Sequence, residues 1–135
     1  MRRRDIFRTA LAILYGAAGI LHLMLPAPFI GIVPPWVPAP ALVVMLTGLA
    51  ELAGAAALAQ SCSANLRRAA GWGLAAYALC VWPANIQHML IDMAKPAGHG
   101  LPLAYHVPRQ MLQPVLIWWA LWASGVTDWP WCRKA

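Results

Sequence analysis

One nearly continuous apolar stretch, residues 39–59, constrains the fold of this chain more than any other feature of its sequence. Its 21 residues match the roughly 20 that a helix needs to cross a hydrocarbon layer of about 30 Å. Glu51 lies near its centre, more than ~10 Å from either end at about 1.5 Å per residue. A carboxylate at such depth usually faces the interior of a helix bundle and has a partner there. The stretch therefore predicts a membrane span with a polar site around Glu51.

Composition and charge distribution favour a single membrane domain over residues 1–135. Hydrophobic residues make up 61% of the chain and charged residues 10%, against roughly 25% charged residues in soluble domains. Further apolar runs at 9–25, 69–91 and 109–126 complete an all-α protein, a four-transmembrane-helix bundle. Eight of the 10 basic residues lie before the first run, between the second and third, or after the fourth, which predicts cytoplasmic N and C termini. These eight are Arg2, Arg3, Arg4, Arg8, Arg67, Arg68, Arg133 and Lys134.

The net charge and the three cysteines restrict which partners and sites are expected. The net charge of +6 does not predict a nucleic-acid partner. The basic residues lie at the ends of the predicted spans and do not form the exposed patch that binds phosphates. The lipid bilayer is the expected partner. Three cysteines, Cys62, Cys80 and Cys132, form no CxxC or zinc-finger spacing, so neither a structural disulfide nor a metal site is expected.

Two proline-rich segments separate the runs on the outer side. The segment 26–40 holds six of the chain's 12 prolines and no charge, which predicts an extended or turning connector that cannot continue either helix. Its apolar side chains place it in the outer interface or over the mouth of the bundle as a lid. The segment 92–108 contains Gly, Pro and His and predicts an extracytoplasmic loop.

Polar side chains from different spans converge in depth, because neighbouring spans are antiparallel. We expect them to line a pocket that opens outward, with Glu51 deepest and paired with Arg109, whose long side chain can reach inward. In one interpretation these groups only tie four helices together. In the other they form a small-molecule or quinone site in which Arg109 and His22 bind oxygen atoms and Glu51 exchanges protons. The candidate residues are His22, Glu51, Asn85, His88, Arg109 and Gln113.

Two metal-based hypotheses have less support in the sequence. His22 and His88 lie in the outer halves of their spans, where they could be axial haem ligands, but no periodic partner histidines accompany them. Imidazole and thioether groups that suit Cu(I) also occur on the outer side, but they are scattered. These groups are His99, His106, Met89, Met93 and Met111.

Four strings give the chain a family resemblance over residues 16–122: GAAGILHLMLPAPFIGIVPPWVPAPALV, LTGLAELAGAAALA, WPANIQHML and PRQMLQPVLIWWALW. They contain GxxH, PPWxP, GxxE, PAN and RxxxQ motifs. Together they resemble the DoxX-like family of small bacterial membrane proteins. The motif positions are His22, Pro34, Pro35, Trp36, Pro38, Gly48, Glu51, Pro83, Asn85, Arg109 and Gln113.

The resemblance implies a four-helix integral protein of the bacterial inner membrane. The family's name links it to the small subunit of a thiosulfate:quinone oxidoreductase, and some members are linked to thiol and oxidative-stress complexes. It therefore implies an accessory subunit beside a redox partner, or a membrane oxidoreductase that uses quinone. The alternative is a structural or assembly protein, alone or as a homo-oligomer.

Overall fold

The protein is built from α-helices. The computed structural model describes residues 3–130, and within that range it contains five α-helices and no β-strand. The predicted all-α class is confirmed. Arg2, Cys132, Arg133 and Lys134, which entered the predictions of topology and thiol chemistry, lie outside the described residues. The helices are α1 (Arg3–Met24), α2 (Pro26–Ile30), α3 (Pro40–Ala59), α4 (Ala64–Met93) and α5 (Leu103–Ala123).

Three of these helices, α1, α3 and α4, are long and apolar enough to cross a membrane. Each overlaps a predicted span. The helix α5 covers most of the predicted fourth span with 21 residues but is not among the three. Its sequence includes Arg109, Gln110 and Gln113, which lower its mean hydropathy. Large apolar side chains on the helix surfaces are exposed, including Ile13 at 68% and Met111 at 63%, as a lipid-facing surface requires.

Glycines bring α1 and α3 into backbone contact. A Cβ atom on Gly19 would lie 2.8 Å from the carbonyl oxygen of Gly48, and one on Gly48 would lie 2.9 Å from Cβ of His22. Small residues at a crossing allow this close approach, which favours helix association in membranes. The crossing sets His22 of α1 beside Glu51 of α3, one turn beyond Gly48.

A hydrophobic core fills the end of the bundle where α1 and α4 begin. Leu11, Leu58, Leu74 and Ala120 are almost fully buried there. Ser63 starts α4 at this end, because its side chain accepts a hydrogen bond from the backbone N–H of Leu66 at 3.2 Å. The core thereby fixes one end of all four long helices, and the predicted site residues lie toward the other end.

Both predicted connectors are more helical than expected. Within the segment 26–40, α2 forms because Pro26 occupies its first turn, where a proline lacks no needed amide. The predicted loop 92–108 shrinks to residues 94–102. Asp92 still belongs to α4, and α5 begins at Leu103 with Pro108 inside it. A proline in the second turn of a helix removes one backbone hydrogen bond, and the buried contact of His106 described below compensates for part of that loss.

Candidate functional site

A cavity of about 530 Å³ occupies the end of the bundle opposite the core. Side chains of α1, α3, α4 and α5 form its walls, and most of the lining is apolar. The segment between α1 and α3 covers one side through Phe29, Pro34 and Trp36. The polar or titratable residues that line the cavity are Tyr15, His22, Thr47, Glu51, Tyr77, Cys80, Asn85, Arg109 and Gln113.

Glu51 is the deepest acid of the site and is 3% exposed. The hydroxyl of Tyr77 donates to its Oε1 at 2.7 Å. His22 Nδ1 lies 2.9 Å from its Oε2, and also 2.9 Å from the backbone carbonyl oxygen of Ala18. The ring N–H at Nδ1 is aligned with one of these two oxygens. Its direction fits the Ala18 carbonyl, so Oε2 is a close neighbour of the ring without an aligned hydrogen bond.

The predicted ion pair between Glu51 and Arg109 is wrong. Among the described residues, Glu51 contacts Tyr77 and His22, and Arg109 is held elsewhere. The physical reason is reach: tyrosine and histidine side chains on adjacent helices meet the carboxylate directly, and Arg109 has polar partners near its own helix. Depth alone predicted the convergence of these groups, but not which of them would pair.

Three buried polar atoms that belong to cavity-lining residues have no hydrogen-bond partner among residues 3–130. They are the hydroxyl of Tyr15, Oε2 of Glu51 and Oε1 of Gln113. The exposed fractions of these residues are 4%, 3% and 6%. Buried polar atoms are otherwise satisfied in at least about nine cases of ten, and leaving one unsatisfied costs roughly 1–3 kcal/mol. All three atoms belong to the lining of one cavity, where a water molecule or the polar end of a ligand would satisfy them.

Arg109 is fixed by residues of α4. Its Nη2 donates to Oδ1 of Asn85 at 2.7 Å, and its Nη1 donates to Nδ1 of His88 at 2.7 Å. The guanidinium also lies 5.3 Å from the ring centre of Tyr105, a cation–π distance. Gln110 strengthens the same contact between helices by donating to the backbone carbonyl of Asn85. The guanidinium is therefore held in one orientation at the cavity.

Asp92 anchors a second group of polar residues behind Arg109. Its Oδ2 lies 3.0 Å from Nε2 of His106 and 3.2 Å from Nε2 of His88, and its Oδ1 pairs with Lys95. His106 is fully buried and Asp92 is 4% exposed. Because His88 accepts from Arg109 at Nδ1, its Nε2–H can donate to Asp92. His88 thus links Asp92 to Arg109 by contacting both of them.

The structure brings together five of the six predicted site residues as lining of one cavity. These are His22, Glu51, Asn85, Arg109 and Gln113. His88 is not in the lining and instead supports Arg109 from behind. Within the described range, no group of three or more His, Cys, Asp or Glu side chains could hold a metal ion. Cys62 and Cys80 are both free and exposed.

Sequence reasoning missed two tyrosines of the cavity lining and two residues of the polar group behind Arg109. Tyr15 and Tyr77 were hidden in apolar runs, although a tyrosine hydroxyl inside such a run needs a polar partner and is itself a signal. Asp92 and His106 were assigned to one loop. The spacing of Asp92 four residues after His88, which places both on one helix face, was the signal for that pair.

Hydrogen bonding and proton exchange are the chemistry that these groups support. The lining offers a buried carboxylate, two tyrosine hydroxyls, two side-chain amides and a fixed guanidinium, all around an apolar space. Such a set can orient the polar end of a molecule whose remainder is apolar.

Comparison with known proteins gives one match. No curated protein and no solved structure matches the chain. Residues 11–124 match the family described as Domain of unknown function (DUF8561). The matched segment runs from the first core residue of α1 to the residue after α5, and it includes every residue that lines the cavity. The match covers most of the chain, and the chain therefore belongs to the DUF8561 family.

Proposed function

We propose that this protein binds a small amphipathic molecule, quinone-like or lipid-like, inside the membrane. The observation that supports this most directly is a cavity of about 530 Å³ whose walls are mostly apolar and whose residues include three buried, unpartnered polar atoms. Small-molecule sites commonly occupy about 300–1,000 Å³ and combine apolar walls with a few polar groups that fix orientation. A molecule dissolved in the bilayer has the apolar body that these walls fit.

The proposal includes a placement in the membrane. In it α5 is a fourth span, both termini are cytoplasmic, and the cavity opens to the outside. The distribution of charge supports this orientation: Arg3, Arg4, Arg67 and Arg68 lie at the core end, whereas the cavity end carries Lys95 and Arg109. The resemblance to DoxX-like proteins adds the bacterial inner membrane as the location.

A cavity-filling substitution tests the proposal. Ala84 of α4 lines the cavity, so Ala84→Trp should occupy much of its volume. Ala76, on the same helix, is exposed and lies outside the lining, which makes Ala76→Trp the matched control. Mass spectrometry of protein purified from membranes in mild detergent should find an amphipathic molecule with the wild type and the control, and much less with Ala84→Trp. Equal amounts in all three samples, or none in any, would contradict the proposal.

A second candidate is a membrane oxidoreductase that reduces quinone, with thiosulfate as the electron donor. The specific observation in its favour is the contact of Glu51 with both Tyr77 and His22 at the cavity, a set of groups able to exchange protons with a bound quinone. Thiosulfate-dependent quinone reduction by the purified protein, lost in Glu51→Gln, would support this candidate. Unchanged turnover in that variant would remove Glu51 from the mechanism. If the protein acts as an accessory subunit instead, a redox partner should co-purify with it.

A further inference from the structure

The polar atoms of the cavity restrict the chemistry of its ligand. Oε1 of Glu51 already accepts from the Tyr77 hydroxyl, whereas Oε2 has no hydrogen-bond partner among the described residues. A carboxylate oxygen accepts hydrogen bonds and donates none. Its nearest N–H, on His22, is directed to the Ala18 carbonyl. What Oε2 lacks is therefore a donor.

The other two unpartnered atoms differ in the hydrogen-bond partner that they need. Oε1 of Gln113 is an amide oxygen and accepts, as Oε2 of Glu51 does, whereas the Tyr15 hydroxyl can donate as well as accept. A carbonyl or an ether could accept from Tyr15 but could not donate to Glu51. An ammonium could donate to Glu51 but could not accept. A hydroxyl does both.

We infer that the ligand carries a hydroxyl head, as in a phenol, a quinol or a long-chain alcohol, and that this hydroxyl donates to Oε2 of Glu51. The inference rests on the proposed function and adds the chemical class of the ligand. It distinguishes the two redox forms of a quinone-like molecule, because the reduced form has the hydroxyl and the oxidised form has only carbonyl acceptors. The apolar body lies among Leu14, Val44, Leu112 and Leu116, which line the same cavity.

A pair of probes that differ in one hydrogen-bond donor tests the inference. The probes are para-pentylphenol and its methyl ether, para-pentylanisole, which share the ring and chain but not the O–H. Equilibrium dialysis against the full chain in lipid nanodiscs, with empty nanodiscs as the blank, separates binding from partition into lipid. We expect the phenol to bind about tenfold more tightly than the ether, since a hydrogen bond to a charged group makes a difference of at least this order.

The outcomes separate the inference from the proposed function. If the ether binds as tightly as the phenol, the hydroxyl assignment is overturned while the cavity remains a binding site. If neither probe binds above the blank, the proposed function fails and the inference fails with it. Both readings use the wild-type chain, so they do not depend on the folding of a variant.

Two variants locate the preference at Glu51. Glu51→Gln keeps the side-chain shape and removes the charge, and it should reduce the preference for the phenol to a few-fold or less. Thr47→Val is the control, because Thr47 lines the same cavity but its hydroxyl already donates to the carbonyl of Val44 at 2.8 Å. That variant should keep the tenfold preference. An unchanged preference in Glu51→Gln would refute the role of Glu51.

Discussion

Replacing Gly19 by alanine tests the close crossing of α1 and α3 that sets His22 beside Glu51. The added Cβ would lie 2.8 Å from the backbone carbonyl oxygen of Gly48, whereas ordinary contacts begin at 3.4 Å. The helices must therefore move apart by about 0.6 Å at this point. Overpacking of this kind costs roughly 1–3 kcal/mol. The separation should also lengthen the 2.9 Å contact between His22 Nδ1 and Glu51 Oε2.

Gly16 supplies the matched control for this prediction. It lies on the same helix, and a Cβ there would meet Cβ of Ala55 at 3.8 Å, an ordinary contact. Unfolding should be followed by tryptophan fluorescence during titration of mixed micelles with a denaturing detergent. We expect Gly19→Ala to lower the free energy of unfolding by roughly 1–3 kcal/mol and Gly16→Ala to change it by less than about 0.5 kcal/mol. Equal effects of the two substitutions would refute the close crossing.

Three further predictions follow from the contacts around the cavity and from the proposed orientation. Tyr77→Phe removes the donor to Oε1 of Glu51 and should lower the free energy of unfolding by about 1.5–3 kcal/mol. Tyr15→Phe deletes an unpartnered hydroxyl and should change the free energy of unfolding little in ligand-free protein. Similar losses in the two variants would contradict the hydrogen bond from Tyr77 to Glu51. Arg109→Lys should lower the free energy of unfolding by about 1 kcal/mol in the same assay, because lysine lacks the planar guanidinium that binds Asn85 and His88 together. An unchanged free energy of unfolding would argue against this geometry. In a variant that keeps Cys62 as its sole cysteine, a membrane-impermeant maleimide should label inverted vesicles and not intact cells, and the reverse result would contradict the proposed cytoplasmic α3–α4 turn.

The sequence predicted the bounds of α3 and the depth of polar residues along the helices. The apolar run 39–59 predicted α3 to within one residue, because Pro40 begins the helix and no other breaker interrupts it before Ala59. Depth along antiparallel helices then placed Glu51, Asn85 and Gln113 at one cavity, since this argument needs only the rise of a helix and its direction.

Pairing could not be read in the same way, because it depends on the rotation of each helix about its axis. Rotation decides whether Tyr77 or Arg109 meets Glu51, and packing between helices sets it. The predicted loop 92–108 failed for a related reason. Its content of Gly, Pro and His predicted a loop, but Pro108 lies inside α5, where a long-range contact between Asp92 and His106 accompanies the helix.

The four long helices pack as two halves, each made of two helices. The most extensive packing joins α1 to α3 and α4 to α5. At the core end the halves are clamped by Phe7, whose ring packs against Trp122 and whose carbonyl accepts from Trp119. Along the cavity, in residues 3–130, the side-chain hydrogen bond that joins them is the one from Tyr77 to Glu51. A ligand hydroxyl that donates to Oε2 of Glu51 therefore binds beside the hydrogen bond that joins the two halves, and it can do so without replacing Tyr77 at Oε1.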